Sequence, residues 1–161
     1  MSRVCHKLED FMRQRRIARE IALQVLYSLE VVEMEAGEAI ELYWAHYEAP
    51  MDARPFSSLL IEGAWKHRDQ IDSLIGGCSA NWSIARMSKV DKSILRMAVF
   101  ELCFCEDIPP KVTMNEAIDL GKVYGSENSG SFINGILDAL YAKIHKKNDE
   151  QEIAPPPERS E

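Results

Sequence analysis

The stretch Arg15-Arg16-Ile17-Ala18-Arg19-Glu20-Ile21-Ala22-Leu23-Gln24-Val25-Leu26-Tyr27 repeats its apolar residues at helical spacing. Ile17, Ile21, Val25 and Leu29 follow one another a turn apart, and Ala18, Ala22 and Leu26 widen the stripe into a face. This predicts a helix over residues 14–31, with its arginines at the start and Tyr27 half exposed near the end. The same period recurs along the chain. An acidic helix is expected over 37–48, stopped before Pro50 because the residue preceding a proline is driven out of the helical region. Pro55 opens a third helix over 56–77, where Phe56, Leu60, Gly63, His67, Leu74 and Cys78 fall near heptad spacing and Gly76-Gly77 weakens the last turn. Asn81 or Ser83 caps a short turn beside Trp82, and a strongly apolar central helix runs from Val90 to Cys105 with Ile94, Leu95, Ala98, Val99 and Leu102 inward. Asp107-Ile108-Pro109-Pro110 ends it. Thr113-Met114-Asn115-Glu116 has the capping-box pattern and opens a helix to Tyr124, which Gly125 closes. A polar loop, Ser126 to Gly130, leads to a last helix carrying Phe132, Ile133, Ile136, Leu137, Leu140, Tyr141 and Ile144. Within it, Asn134-Gly135 lowers helix propensity and is expected to serve close packing or to hold the preceding loop. No segment alternates like a strand, so the fold class is all-α.

The 161 residues, 46% hydrophobic and 28% charged, suffice for one domain with a real core. The folded domain is expected over 13–147, after an extension of residues 1–12 and before a disordered acidic tail over 148–161 that contains Pro155-Pro156-Pro157. Net charge is −7, unevenly spread: +3 over residues 1–27, −7 over 28–62, +3 over 63–100, −2 over 101–147 and −4 over 148–161. A nucleic-acid site must therefore be a local basic patch. Arg13, Arg15, Arg16 and Arg19 lie within seven residues with no acid among them. Cations at a helix start oppose the macrodipole, so phosphate binding competes with a merely solvated helix end as the reason for them. No apolar stretch approaches the roughly 18 to 20 residues of a membrane span, and Met1 to Met12, with Glu9 and Asp10, has no apolar signal core, which predicts a cytoplasmic protein.

Catalytic patterns are missing. His6, His46, His67 and His145 stand in no recognisable acid–base or nucleophilic context, and there is no phosphate loop, dinucleotide fingerprint, zinc-protease motif or calcium loop. Cys5, Cys78, Cys103 and Cys105 fit no disulfide framework or zinc spacing and are expected to be reduced and buried. The reading is of a protein that is not an enzyme and needs no cofactor or metal.

Three blocks carry a resemblance. Arg15 to Tyr27 and the stretch Lys89-Val90-Asp91-Lys92-Ser93-Ile94-Leu95-Arg96 through Glu101-Leu102 are similar to the NusB family of transcription antitermination factors. Val112 to Lys122, Tyr124-Gly125-Ser126-Glu127-Asn128-Ser129 and Phe132 to Asp138 resemble that family's C-terminal signature almost throughout. The likeness spans about residues 13–142. It implies two packed three-helix-type bundles that bind the boxA element of nascent ribosomal RNA together with NusE, a ribosomal small-subunit protein. The pair joins NusA, NusG and RNA polymerase, which then resists termination. A cationic groove with adjacent base-contacting groups is what single-stranded RNA requires.

Residue by residue, the resemblance implies an RNA surface of Arg15, Arg16 and Arg19 with Arg13 added, all on phosphates, joined by Asn128 and Ser129 in the polar loop and by Lys122. The loop residues serve equally as a helix cap. The implied NusE surface comprises Tyr27, Val31, Asp91 and Glu101, although Asp91 is also simply a favourable first-turn acid. Where the family pattern has an aromatic near the end of the third helix, Gly76-Gly77-Cys78 stands here, which removes a stacking contribution and shifts RNA capture toward the basic partner. The resemblance leaves open a homodimer, which would cover the RNA face. Two other readings are an accessory module for an rRNA-modifying partner, like the NusB-like region ahead of RNA cytosine methyltransferases, and a helical module that binds protein alone.

Overall fold

Helix α1 runs unbroken from Arg3 to Val31. The computed structural model describes residues 2–79 and 83–153, and among these there is no strand. The start of α1 lies eleven residues before the expected one, because nothing between Arg3 and Arg13 breaks a helix. The consequence is electrostatic. Arg13 to Arg19 lie three turns inside the helix instead of at its positive end, so the macrodipole argument does not apply to them. Ala18, Ile21, Ala22, Val25, Leu26 and Leu29 are buried as the period requires.

Helix α2 (Ala36–His46) stops two residues short of the expected end, where Tyr47 turns extended. Helices α3 (Arg54–Lys66) and α4 (Arg68–Gly76) replace the single third helix. The break is at His67, whose φ/ψ of −98°/15° leaves the helical region while its ring stacks on Phe104 at 4.7 Å. Apolar periodicity continues through the break, so it does not reveal it. Helix α5 (Lys89–Phe104) is the central element, capped by the Ser88 hydroxyl, which accepts from the Asp91 backbone N–H at 3.1 Å. It packs on α1, α3, α4, α6 and α7. Gly63 is the crossing point with α3, since a Cβ there would fall 2.1 Å from the Phe100 ring. Ser83 precedes a 3₁₀ turn, Ile84–Arg86, without a side-chain cap, and Asn81 and Trp82 lie outside the described residues.

Helix α6 spans Pro110–Tyr124. It begins at the proline, which suits the first helical position, so the capping-box reading is corrected. Thr113 and Glu116 are both inside the helix, and their side chains reach other elements. Gly125 does close α6, but in extended backbone (φ −89°), and what excludes a side chain is Ser129, whose Oγ would lie 2.3 Å from a Cβ. Helix α7 (Ser129–Ile153) carries on through Asn148 to Ile153, part of the expected disordered tail, because no proline interrupts it before Pro155. Residues 154–161 lie outside the described residues. Gly135 packs against nothing, with no atom within 4 Å of its Cβ position, which corrects the close-packing expectation.

The chain thus folds as a three-helix group, α1 to α3, set against α5 to α7, with the short α4 joining them. Leu26, Leu60, Ile61, Ile94, Leu95, Ile133 and Leu137 form the continuous core. Each contributes about 1.5–3 kcal/mol of burial. Cys105 is buried, Cys78 and Cys103 are half-buried, and Cys5 on the α1 extension is exposed, against the expectation for all four, since that part of α1 has no helix covering it. No described helix is long and apolar enough to cross a membrane, and no described group of residues could hold a metal ion.

Candidate nucleic-acid and partner interface

The four arginines of α1 differ sharply in what surrounds them. Arg19 points inward. Its Nε and Nη2 donate to Glu101 Oε2 and Oε1 at 2.9 and 2.7 Å, and both side chains are under 5% exposed. The Thr113 hydroxyl donates to the same carboxylate at 3.1 Å, so this buried knot ties α1, α5 and α6 together. Neither Arg19 nor Glu101 presents its charge to a ligand or partner here. The sequence expectation for both is therefore corrected: a buried bidentate pair satisfies each charge inside the fold.

Arg16, three residues earlier, is on the surface. It donates through Nε and Nη2 to Glu116 at 3.2 and 2.9 Å, and that carboxylate holds the guanidinium pKa above its ordinary value. Arg15 lies between two rings, its guanidinium carbon 4.8 Å from the Phe11 centroid and 4.1 Å from that of Phe56. Its ion pair with exposed Asp107 is long, at 3.8 Å. Arg13 is exposed and forms no ion pair among the described residues. The cluster therefore grades from free to sealed along barely two turns.

The α6–α7 loop is built by close approach. Gly121, Gly125 and Gly130 each face a neighbour that a Cβ would strike, and the stem of Lys122 lies over Gly130 while the residue stays exposed. Ser129 is buried, with its hydroxyl accepting from the Ser126 N–H at 2.9 Å and 3.2 Å from the Ser126 hydroxyl. It closes the loop and offers nothing outward, through a bond to the loop's own N–H and not to the first turn of α7, so the bond differs from the helix cap weighed above. Asn128 is exposed on the rim of a cleft of about 410 Å³ that Arg86, Asp91 and Phe132 also line. Asp91 is 9% exposed, and its Oδ1 has no hydrogen-bond partner. Asp91 is a first-turn acid of α5, as expected, and it also lines this cleft with Asn128.

Tyr27 and Val31 sit on the open side of α1, 43% and 56% exposed. Beside that half of α1, an apolar cleft of about 470 Å³ is lined by Val25, Val32, Met34, Leu42, Tyr43 and Tyr47. Below it a second network fixes the end of α1. Arg96 donates to Asp72 at 2.8 and 2.7 Å and to Glu30, which also pairs with Lys92 at 3.1 Å. Burial pushes the Glu30 carboxyl up, but the hydrogen bonds from Lys92 and Arg96 outweigh it and hold the group below its ordinary value. Sequence reasoning finds neither this network nor the roles of Glu116, Asp107 and Phe56, because each joins residues far apart in the chain and no local pattern marks them.

The described residues form an all-helical protein with an arginine band on its first helix, and no group among them could hold a metal ion. The NusB family model matches residues 16–142, and the chain belongs to the NusB family. It is 48% identical over 137 residues to the transcription antitermination protein NusB of Geobacter sulfurreducens, an alignment covering 84% of this chain and 99% of that protein. The corresponding protein of Myxococcus xanthus is 45% identical over 139 residues, with the same coverage. Among solved structures, T. maritima NusB superposes with a TM-score of 0.73 at 35% identity, covering 86% of this chain and 97% of that one. A crystal structure of the antitermination factors NusB and NusE in complex with dsRNA matches with a TM-score of 0.73 at 33% identity, covering 82% and 98%.

Proposed function

We propose that this chain is an RNA-binding transcription antitermination factor that captures the boxA element of nascent ribosomal RNA jointly with NusE. The complex then joins NusA, NusG and RNA polymerase and makes the polymerase resist termination. The observation that carries this reading is the outward part of the arginine band, exposed Arg13 and Arg16 with half-buried Arg15 between them, on a fold whose relative is crystallised with NusE and RNA. These three contact phosphates. Lys122 and Asn128 extend the surface, with Asn128 offering hydrogen bonds to base or sugar. The NusE surface uses Tyr27, Val31 and the carboxylate of Asp91, an aromatic, apolar and acidic set suited to a basic ribosomal protein. Arg19, Glu101 and Ser129 support these surfaces from inside.

The test is the anisotropy of a labelled boxA-like RNA against a scrambled one, with and without NusE, over a salt series. Native protein should bind the boxA-like RNA selectively, and more tightly with NusE. Replacing Arg13, Arg15 and Arg16 by Ala should weaken binding to every sequence and flatten the log–log salt slope by about two, near 0.7 per lost single-strand phosphate contact. Unchanged binding by the triple variant would remove this face from the reading.

A further inference from the structure

We propose that Glu116 is an internal competitor for RNA on the arginine face: its carboxylate holds the edge of Arg16 that a backbone phosphate would take. This rests on the RNA reading above and adds a threshold to it. The fork of a guanidinium fits a carboxylate and a phosphate alike, through two parallel N–H donors. In the free protein both of those donors, Nε and Nη2, are already engaged, at 3.2 and 2.9 Å. The two partners are also placed asymmetrically. The Arg16 side chain is 59% exposed and that of Glu116 only 12%, so the acid lies beneath the cation on α6 while the cation faces solvent. Glu20 on α1 and Asp119 on α6 add negative potential at the same guanidinium.

A phosphate arriving at Arg16 therefore meets a cation already neutralised, and binds by exchange. Its neighbours set the order. Arg13 forms no ion pair among the described residues, Arg15 is held by rings and a long contact to Asp107, and Arg19 is closed off by Glu101. RNA engages Arg13 and Arg15 first, and the Arg16–Glu116 exchange comes after an initial contact. Polyanions that reach only one or two cations gain little.

The experiment is the same anisotropy titration on full-length protein with Glu116→Gln, which keeps the shape but loses the charge and one of the two acceptors of the fork. An exposed ion pair of this kind corresponds to a gain of about three- to fivefold in RNA affinity at low salt, fading as salt rises. Asp119→Asn, an exposed change with little risk to folding, should act in the same direction more weakly. In an Arg16→Ala background, Glu116→Gln should add nothing. The proposal is overturned if Glu116→Gln binds no tighter than the native chain while Arg16→Ala weakens binding, or if it tightens binding equally without Arg16. If Arg16→Ala leaves affinity unchanged, the RNA face itself is misassigned and the competitor falls with it.

Discussion

The buried Arg19–Glu101 pair makes a demanding test of the assignment of charges to inside and outside. With both side chains under 5% exposed and two hydrogen bonds of 2.9 and 2.7 Å between them, removing one leaves the other desolvated and alone. Arg19→Met or Glu101→Leu alone should each cost about 3–5 kcal/mol, the scale for breaking a buried pair. Replacing both by apolar residues should recover most of that, because the desolvation penalty disappears with the attraction. The recovery is limited by Thr113, whose hydroxyl loses its acceptor on Glu101 and costs about 1–3 kcal/mol if left unsatisfied. Adding Thr113→Val to the double variant should remove that remainder. Urea unfolding of the single, double and triple variants measures all of these values. Single variants costing under about 1 kcal/mol, or a double variant as damaged as the sum of the singles, would refute the pairing. The triple variant also separates structure from recognition. If folded and still able to bind RNA and NusE normally, it places Arg19 and Glu101 behind those surfaces. A folded triple variant with binding lost would return them to the interface.

Two further outcomes follow from local geometry. Gly125→Ala sets a Cβ 2.3 Å from Ser129 Oγ and 2.7 Å from the Gly121 carbonyl, and should destabilise by about 1–3 kcal/mol, whereas Gly135→Ala meets nothing within 4 Å and should stabilise by about 0.5–1 kcal/mol through helix propensity, both read by urea midpoints. Glu30, held below its usual range by Lys92 and Arg96, contributes stability that is present above its ordinary value of 4.5 and lost as pH falls through its lowered folded value. Stability measured from pH 7 downward should therefore fall less steeply for Glu30→Gln than for the native chain, and parallel curves would refute the sign.

The helical class is legible because periodicity reports burial on one face, and α1, α5 and α7 keep that period over many turns. The His67 break is not, since a packed helix pair and one bent helix bury the same positions. The Thr113–Glu116 pattern misleads for a related reason: a threonine and a glutamate three apart cap a helix only when nothing better is near. Here Glu101 and Arg16, each fixed by packing elsewhere, win both side chains. The candidate site was legible as a set of arginines but not as a gradient of availability. What separates Arg13 from Arg19 is which carboxylate on another helix lies opposite, and that is decided by how α5 and α6 cross α1.

That α1 is one uninterrupted rod has a geometric consequence for assembly. At 1.5 Å per residue, Arg16 and Tyr27 are held about 16 Å apart along a single axis, with a fixed angle between the directions they face. On the proposed assignment, the surfaces for RNA and for the protein partner are thereby held in a fixed phase, like two fittings bolted to one shaft. A single residue inserted between Arg19 and Tyr27 would rotate one end of the helix by about 100° against the other and turn part of the buried Ile21–Leu29 stripe out of the core.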